Sequence, residues 1–314
     1  MTGTGTQLKH NSRCLDIHGI VSVVQTPFDS AGELDLASLR RLVEDAVAAG
    51  VDGFLAPVVA SEVAFLSAEE RELVVDEIAT TANSRVPLIV GASTNDPAEC
   101  RAIARQAAAK GDAAYLVAVP SAIYKTPSAI LPFFQEVTEG IDLPLVIQDF
   151  EFNGPGMDML TIRRLKEHLP TLVGVKIETV PAGPKYTAVR EAFGTDFFIA
   201  GGWAVPQFIE ALDRGVDAMI PESSMIRVYK RIQRRYERGE RDAAKTLFHR
   251  LLPILAFTNQ DVGNSILFFK YLLVRKGIFR TTRMRCPEPG WDRYSLSVAE
   301  ELIELYLELE EGDQ

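Results

Sequence analysis

The chain has 314 residues, with 33 Lys and Arg against 43 Asp and Glu, for a formal charge of -10. At 47% hydrophobic and 24% charged it can bury a sizeable core, which excludes disordered, collagen-like and disulfide-stapled chains. The acidic balance argues against a general electrostatic grip on nucleic acid or on an anionic membrane surface, since both need clustered Lys and Arg.

Short β-rich apolar runs alternate with longer stretches of helical period. Strands are expected at 20–24, 53–59, 87–90, 114–118, 144–148, 172–176, 197–200 and 218–220. Each start lies roughly 20 to 35 residues after the last, the span of one β-loop-α-loop unit. Between the first two, a helix over 35–49 carries Leu39, Leu42, Val43 and Ala46 on one face and stops at Gly50. Ser67 followed by Glu69 and Glu70 marks the start of the next, and Asp96-Pro97 opens a third that Gly111 closes. Further helices are expected from Ser128, Met159, Gly183, Val205 and Met225.

Strands that read as continuous apolar runs, such as Leu172-Val173-Gly174-Val175, are buried on both faces and belong to a parallel sheet. Eight such units predict an α/β fold, a (β/α)8 TIM barrel over 19–238 that follows an N-terminal tail, 1–18. A doubly wound open sheet is the alternative, but no phosphate-binding glycine turn follows the first strand, which runs into Gln25-Thr26-Pro27-Phe28. Beyond Gly239 the strand signal stops. Helices at 242–257, 264–276 and 297–311, with an irregular loop at 280–289, make 239–314 a C-terminal helical subdomain.

Cys14, Cys100 and Cys286 form no C-x-x-C pair, a sparse odd count that suits a reducing compartment. The four histidines show no metal-binding spacing, so no metal is expected. The polar stretch 1–12 lacks the apolar core of a signal peptide, and no window holds the ~18 apolar residues of a membrane span. A cytoplasmic location is expected.

In a barrel, chemistry sits at the C-terminal ends of the strands. That rule selects Val58-Val59-Ala60-Ser61-Glu62 after strand two, Gln148-Asp149-Phe150-Glu151 after strand five and Lys176-Ile177-Glu178 after strand six. It also selects Gly201-Gly202-Trp203 after strand seven and Pro221-Glu222-Ser223 after strand eight. Lys176 closes a purely apolar strand. A desolvated lysine there suits attack on a ketone or aldehyde to give an imine. A strand-end lysine paired with Glu178 or another loop carboxylate fits the position equally well.

The layout resembles the pyruvate-dependent class I aldolase superfamily of dihydrodipicolinate synthase and N-acetylneuraminate lyase. The matching stretches are Gly19-Ile20-Val21 with Thr26-Pro27-Phe28, Gly50-Val51-Asp52-Gly53, Leu66-Ser67-Ala68-Glu69-Glu70-Arg71, Asp142-Leu143-Pro144-Leu145-Val146 and Val173-Gly174-Val175-Lys176. The resemblance covers roughly residues 18 to 310. It implies that Lys176 is the Schiff-base lysine of a lyase (aldolase, synthase or dehydratase) acting on a 2-oxo acid such as pyruvate or a keto-sugar acid. It also implies that Ile220 lines the keto-acid pocket, that no cofactor is needed, and that the protein is a homo-oligomer, a tetramer or dimer.

Departures from the family pattern are specific. The loop Gly-Thr-Thr-Gly-Glu reads Val58-Val59-Ala60-Ser61-Glu62 here, so both threonine hydroxyls are gone. The amides of Ala60 and Ser61, with the Ser61 hydroxyl, are left to hold a carboxylate, or the loop holds none. The proton-shuttling tyrosine of strand five is replaced by Gln148, which cannot act as an acid or base but can orient an imine or a water. Glu151 and Tyr124 are candidate substitutes on loops, while Asp149 should point out of the barrel. No arginine occurs in 152–156, where dihydrodipicolinate synthases carry one, which speaks against that activity. Gly201 and Gly202 allow close approach to a ligand or simply make a tight turn; Trp203 is expected to pack under its loop. The rival is a non-catalytic or regulatory barrel that binds a small carboxylate metabolite.

Overall fold

Continuous apolar runs and glycine- or aspartate-bounded helices alternate along the chain, and the structure, a computed structural model, describes residues 14–151, 153–202 and 206–312 of it. The strands are β1 (Gly19–Val23), β2 (Gly53–Ala56), β3 (Leu88–Gly91), β4 (Ala114–Ala118), β5 (Leu145–Phe150), β6 (Leu172–Glu178), β7 (Phe198–Gly201) and β8 (Ala218–Met219). Each pairs in parallel with the next, and β8 pairs with β1, closing the expected barrel. The outer helices are α1 (Leu36–Ala49), α2 (Ala68–Ala82), α3 (Pro97–Lys110), α4 (Pro127–Thr138), α5 (Met159–His168), α6 (Gly183–Phe193), α7 (Phe208–Asp213) and α8 (Ile226–Glu237). The helix start expected at Val205, together with Trp203 and Phe152, lies outside the described residues.

Local signals explain the boundaries. Ser67 and Glu70 form a reciprocal capping box at the start of α2, and Gly50 ends α1 in the left-handed region at φ +86°. Strand β2 stops at Ala56 rather than at 59, because Pro57 has no N–H for the ladder and 59–61 coil into a 3-10 turn. Strands β5 and β6 run further than their apolar residues do. They carry Gln148 opposite Lys176 and Phe150 opposite Glu178, so polar groups ride into the barrel mouth on paired backbone.

Three further helices follow among the described residues: α9 (Arg241–Thr258), α10 (Val262–Arg275) and α11 (Arg293–Glu311). The last starts four residues before the expected position (297 against 293), because Asp292 accepts the N–H groups of Tyr294 and Ser295 as its cap. Leu251, Phe268, Ile303 and Tyr306 from these helices belong to the same hydrophobic cluster as the barrel's outer layer. Helix α10 lies against the 59–61 turn and the 223–225 turn, at the barrel's C-terminal mouth. A buried ion pair fixes it there. Lys270 Nζ stands 2.5 Å from Glu62 Oε1, and Glu62 Oε2 accepts the N–H groups of Arg285 (2.7 Å) and Cys286 (2.9 Å). Burial pulls the Lys270 ammonium down from the usual lysine range, against the pull of Glu62.

Inside the barrel, Val21, Val23, Leu55, Ile89, Leu116, Val146 and Phe198 fill the axis. Gly174 is glycine because the backbone of β7 passes close beside it: a Cβ there would lie 2.3 Å from the Phe198 carbonyl oxygen and 2.6 Å from the Phe198 Cβ. The inward position two residues on, Lys176, therefore stands on a filled floor.

Two stability predictions follow from this packing. Gly174→Ala should cost ~1–3 kcal/mol in denaturant unfolding, as overpacking does, while Gly290→Ala, where a Cβ would meet nothing within 4 Å, should be near neutral. Lys270→Met strands the Glu62 carboxylate in the interior and should cost ~3–5 kcal/mol; a loss below 1 kcal/mol would show that the clamp carries little.

Candidate active site

Alternation along β6 sends Val175 and Ile177 outward into the helix-facing cluster and Gly174, Lys176 and Glu178 toward the axis. Lys176 is 3% exposed. Its Nζ lies 3.1 Å from Glu178 Oε1, and Gln148, level with it on β5, donates its amide N–H to the other oxygen of Glu178. A buried ammonium, a buried carboxylate and an amide thus form one connected cluster. Gly202, just past β7, makes room for it: a Cβ there would lie 2.2 Å from Glu178 Oε1 and 2.7 Å from Lys176 Cε.

The pocket above this cluster is lined by Val58, Ala60, Gln148, Lys176, Glu178, Ile220 and Glu222 from the barrel. Val262, Ser265 and Phe269 of α10 close one side. Of the residues singled out in the sequence, Lys176, Gln148, Ala60 and Ile220 therefore come together around one space.

Two assignments need correcting. Ser61 is fully buried and has no free donor: its hydroxyl bonds the Val24 carbonyl (2.5 Å) and its N–H the Val58 carbonyl (2.8 Å). The 3-10 turn at 59–61 consumes the N–H and the segment after β1 the hydroxyl, so a carboxylate contact from Ser61 requires one of these bonds to break. The space freed at Gly201 lies on the wrong side, toward the Tyr186 hydroxyl (2.6 Å) and Met219 Cε (2.8 Å). Strand alternation gives the pocket-facing role to Gly202.

The loop substitutes are occupied elsewhere. Glu151 Oε2 accepts the Gly156 N–H (2.8 Å) within its own loop. Tyr124 donates its hydroxyl to Asp149 Oδ1 (3.1 Å), and neither residue lines the space around Lys176. Asp149 points outward as alternation requires. It is fully buried, takes Lys185 Nζ at 2.5 Å and the Met157 N–H at 2.9 Å, and so ties the loop after β5 to α6. Burial raises its carboxyl above the usual range, against these partners.

The strand-end rule selects Glu178 with its neighbours, but the sequence gives it no role beyond pairing with Lys176. The signal that it belongs to the site is its spacing, two residues on and hence on the same face. The contribution of α10 had no local signal, because it depends on where the tail docks. Among the described residues, no group of three His, Cys, Asp or Glu is arranged to hold a metal ion, and no helix is long and apolar enough to cross a membrane.

Relatives share this architecture over most of its length. The chain is 29% identical over 278 residues to the L-2-keto-3-deoxyarabonate dehydratase of Azospirillum brasilense, covering 86% of this chain and 88% of that one. It is 28% identical to the 4-hydroxy-tetrahydrodipicolinate synthase of Xanthomonas campestris, covering 86% and 89%. The crystal structure of dihydrodipicolinate synthase from Rhodopseudomonas palustris superposes with a TM-score of 0.85 at 25% identity, covering 93% of this chain and 99% of that one. The Ruminococcus gnavus sialic acid aldolase shares the fold, with a TM-score of 0.83 at 18% identity and 93% and 98% coverage. The dihydrodipicolinate synthetase family model matches residues 16–297, and the chain belongs to that family of lyase- and synthase-type barrels.

Proposed function

We propose that this protein is an imine-forming lyase of 2-oxo acids, with Lys176 as the nucleophile, and that it dehydrates a 2-oxo-3-deoxy sugar acid rather than making dihydrodipicolinate. The observation that carries the reading is a buried lysine whose ammonium has, among the described residues, a single carboxylate partner, Glu178 at 3.1 Å, in a pocket floored by apolar side chains. An ammonium cannot attack a ketone. At so buried a position, however, passing its proton to Glu178 turns a buried ion pair into a buried neutral pair, and burial penalises both charges it removes. The freed amine adds to the C2 ketone, and protonated Glu178 returns its proton to the carbinolamine oxygen, which leaves as water. The resulting iminium draws electrons from C3, so the C3 proton becomes acidic. Glu178, again a carboxylate, takes it.

Gln148 cannot move a proton. It orients Glu178 and can hydrogen-bond a substrate oxygen. That division of labour differs from the tyrosine shuttle the family resemblance implies, and Glu178 supplies the group that Gln148 lacks. The Ala60 amide is the remaining candidate from the strand-two loop to meet the substrate carboxylate, and Ile220 packs beside the substrate chain. Dehydration is favoured over synthase chemistry by the absence of arginine in 152–156 and by similarity to a keto-deoxy sugar acid dehydratase. The lysine itself is the electron sink, so the mechanism calls for no added cofactor. A cytoplasmic homo-oligomer, dimer or tetramer, completes the proposal. Its support is family membership and three free cysteines.

The test is exchange of C3 hydrogens of pyruvate in D2O, followed by proton NMR. Wild-type protein should exchange them, Lys176→Ala should not, and Glu178→Gln should slow exchange by ~10²-fold or more, the usual worth of a placed general base. Gly202→Ala should also slow it, by at least ~10-fold, because the added methyl displaces Glu178 and the reacting amine. Exchange by Lys176→Ala at the wild-type rate would overturn the reading, and no exchange by folded wild-type protein would favour a metabolite-binding role.

A further inference from the structure

A second acidic residue lines the same pocket. Past β8 the chain keeps its alternation, so Ala218, Ile220 and Glu222 face the axis, and Glu222 bridges in parallel to Val23 of β1. Ile220 and Glu222 line the pocket together with Lys176 and Glu178. The strand between them, β7, arrives there as Gly202 and adds no side chain.

The two carboxyls have unlike surroundings. Glu178 has an ammonium at 3.1 Å. Glu222 is 7% exposed and forms no ion pair among the described residues; Ser224 holds it, through its N–H to Oε2 (2.6 Å) and its hydroxyl to Oε1 (2.7 Å), and the Met225 N–H also acts on it. Lys276 acts on it only at longer range, being bonded to Glu310, Asp45 and the Ser224 carbonyl, and the other titratable groups that face it are the buried phenols of Tyr229 and Tyr306. Burial pushes the Glu222 carboxyl up to about 7, against the Ser224 hydrogen bonds and Lys276.

Resting on the imine-lyase reading above, we propose that Glu222 is a second catalytic residue of this pocket, the acid that protonates the departing C4 hydroxyl of a 2-oxo-3-deoxy sugar acid. With the substrate held as an imine on Lys176, the C3 proton passes to Glu178 and the C–H electron pair becomes the enamine double bond. The enamine electrons then expel the C4 oxygen. That C–O bond breaks with its electron pair on oxygen, the Glu222 proton joins it, and water leaves. Water adds to the remaining unsaturated iminium, frees Lys176 and releases the unsaturated 2-oxo acid. The proton on Glu178 returns through solvent to Glu222, and the net change is loss of one water.

Glu222→Gln separates the two proton steps and keeps an oxygen to accept from Ser224. The measurements are borohydride trapping and C3 exchange with 2-oxobutanoate, and release of product from 2-oxo-3-deoxyarabonate. The expected variant traps the imine and exchanges within about threefold of wild type, yet loses dehydration by ~10²-fold or more. Glu222→Asp, which keeps an acid, should recover part of the dehydration. The inference is overturned if Glu222→Gln dehydrates like wild type, or if it loses exchange and dehydration together, as a structural cap would. Wild-type protein that exchanges but does not dehydrate this probe also overturns it, with the imine reading intact. Wild-type protein that neither traps nor exchanges overturns the imine reading itself.

Discussion

The organising constraint of this molecule is a lysine ammonium held at an interior position of a closed barrel. Removing such a charge from water costs several kcal/mol unless it is paired, and an unpaired one would surrender its proton. Glu178, two residues along the same strand, meets that requirement at 3.1 Å and creates a second one, since its own carboxylate is equally buried. Gln148 answers by donating to the other oxygen. The three side chains come from adjacent, register-locked strands, so their geometry is set by the β5–β6 ladder and not by loop conformation.

The rest of the barrel keeps that cluster in place. Phe198 fills the floor that Gly174 leaves open, and Gly202 leaves the space that Glu178 and the end of the lysine occupy. On the far side, the Glu62–Lys270 pair clamps α10 over the mouth, and α10 lends Val262, Ser265 and Phe269 to the pocket wall. The tail is thus part of the site, although its helices follow the last strand. Glu62 is the one member of the strand-two loop that keeps the family's residue, and in this structure its carboxylate serves the clamp.

Much of this was legible in the sequence, and the parts that were not have physical reasons. Eight buried strands announce a parallel barrel because both faces must be apolar, and Lys176 is conspicuous for breaking such a run at its end. Polar residues inside the ladder hid the true ends of β5 and β6, and with them the common face of Lys176 and Glu178. Which glycine of the pair 201–202 faces the pocket depends on a one-residue register that composition does not encode. Ser61 looked available because a hydroxyl on a loop usually is; its donors are spent on carbonyls that only the folded turn brings near. The position of α10 depends on tertiary contacts from 208 residues away along the chain, between Glu62 and Lys270.

The central claim is that Lys176 forms an imine with a 2-oxo acid. The most direct measurement is the intact mass of the protein after borohydride reduction in the presence of pyruvate, followed by peptide mapping of the modified residue. The account predicts one reduced pyruvyl adduct per chain, located on Lys176 and absent from Lys176→Ala. An adduct that maps to another lysine, or folded protein that stays unmodified with pyruvate and with longer 2-oxo acids alike, would contradict it.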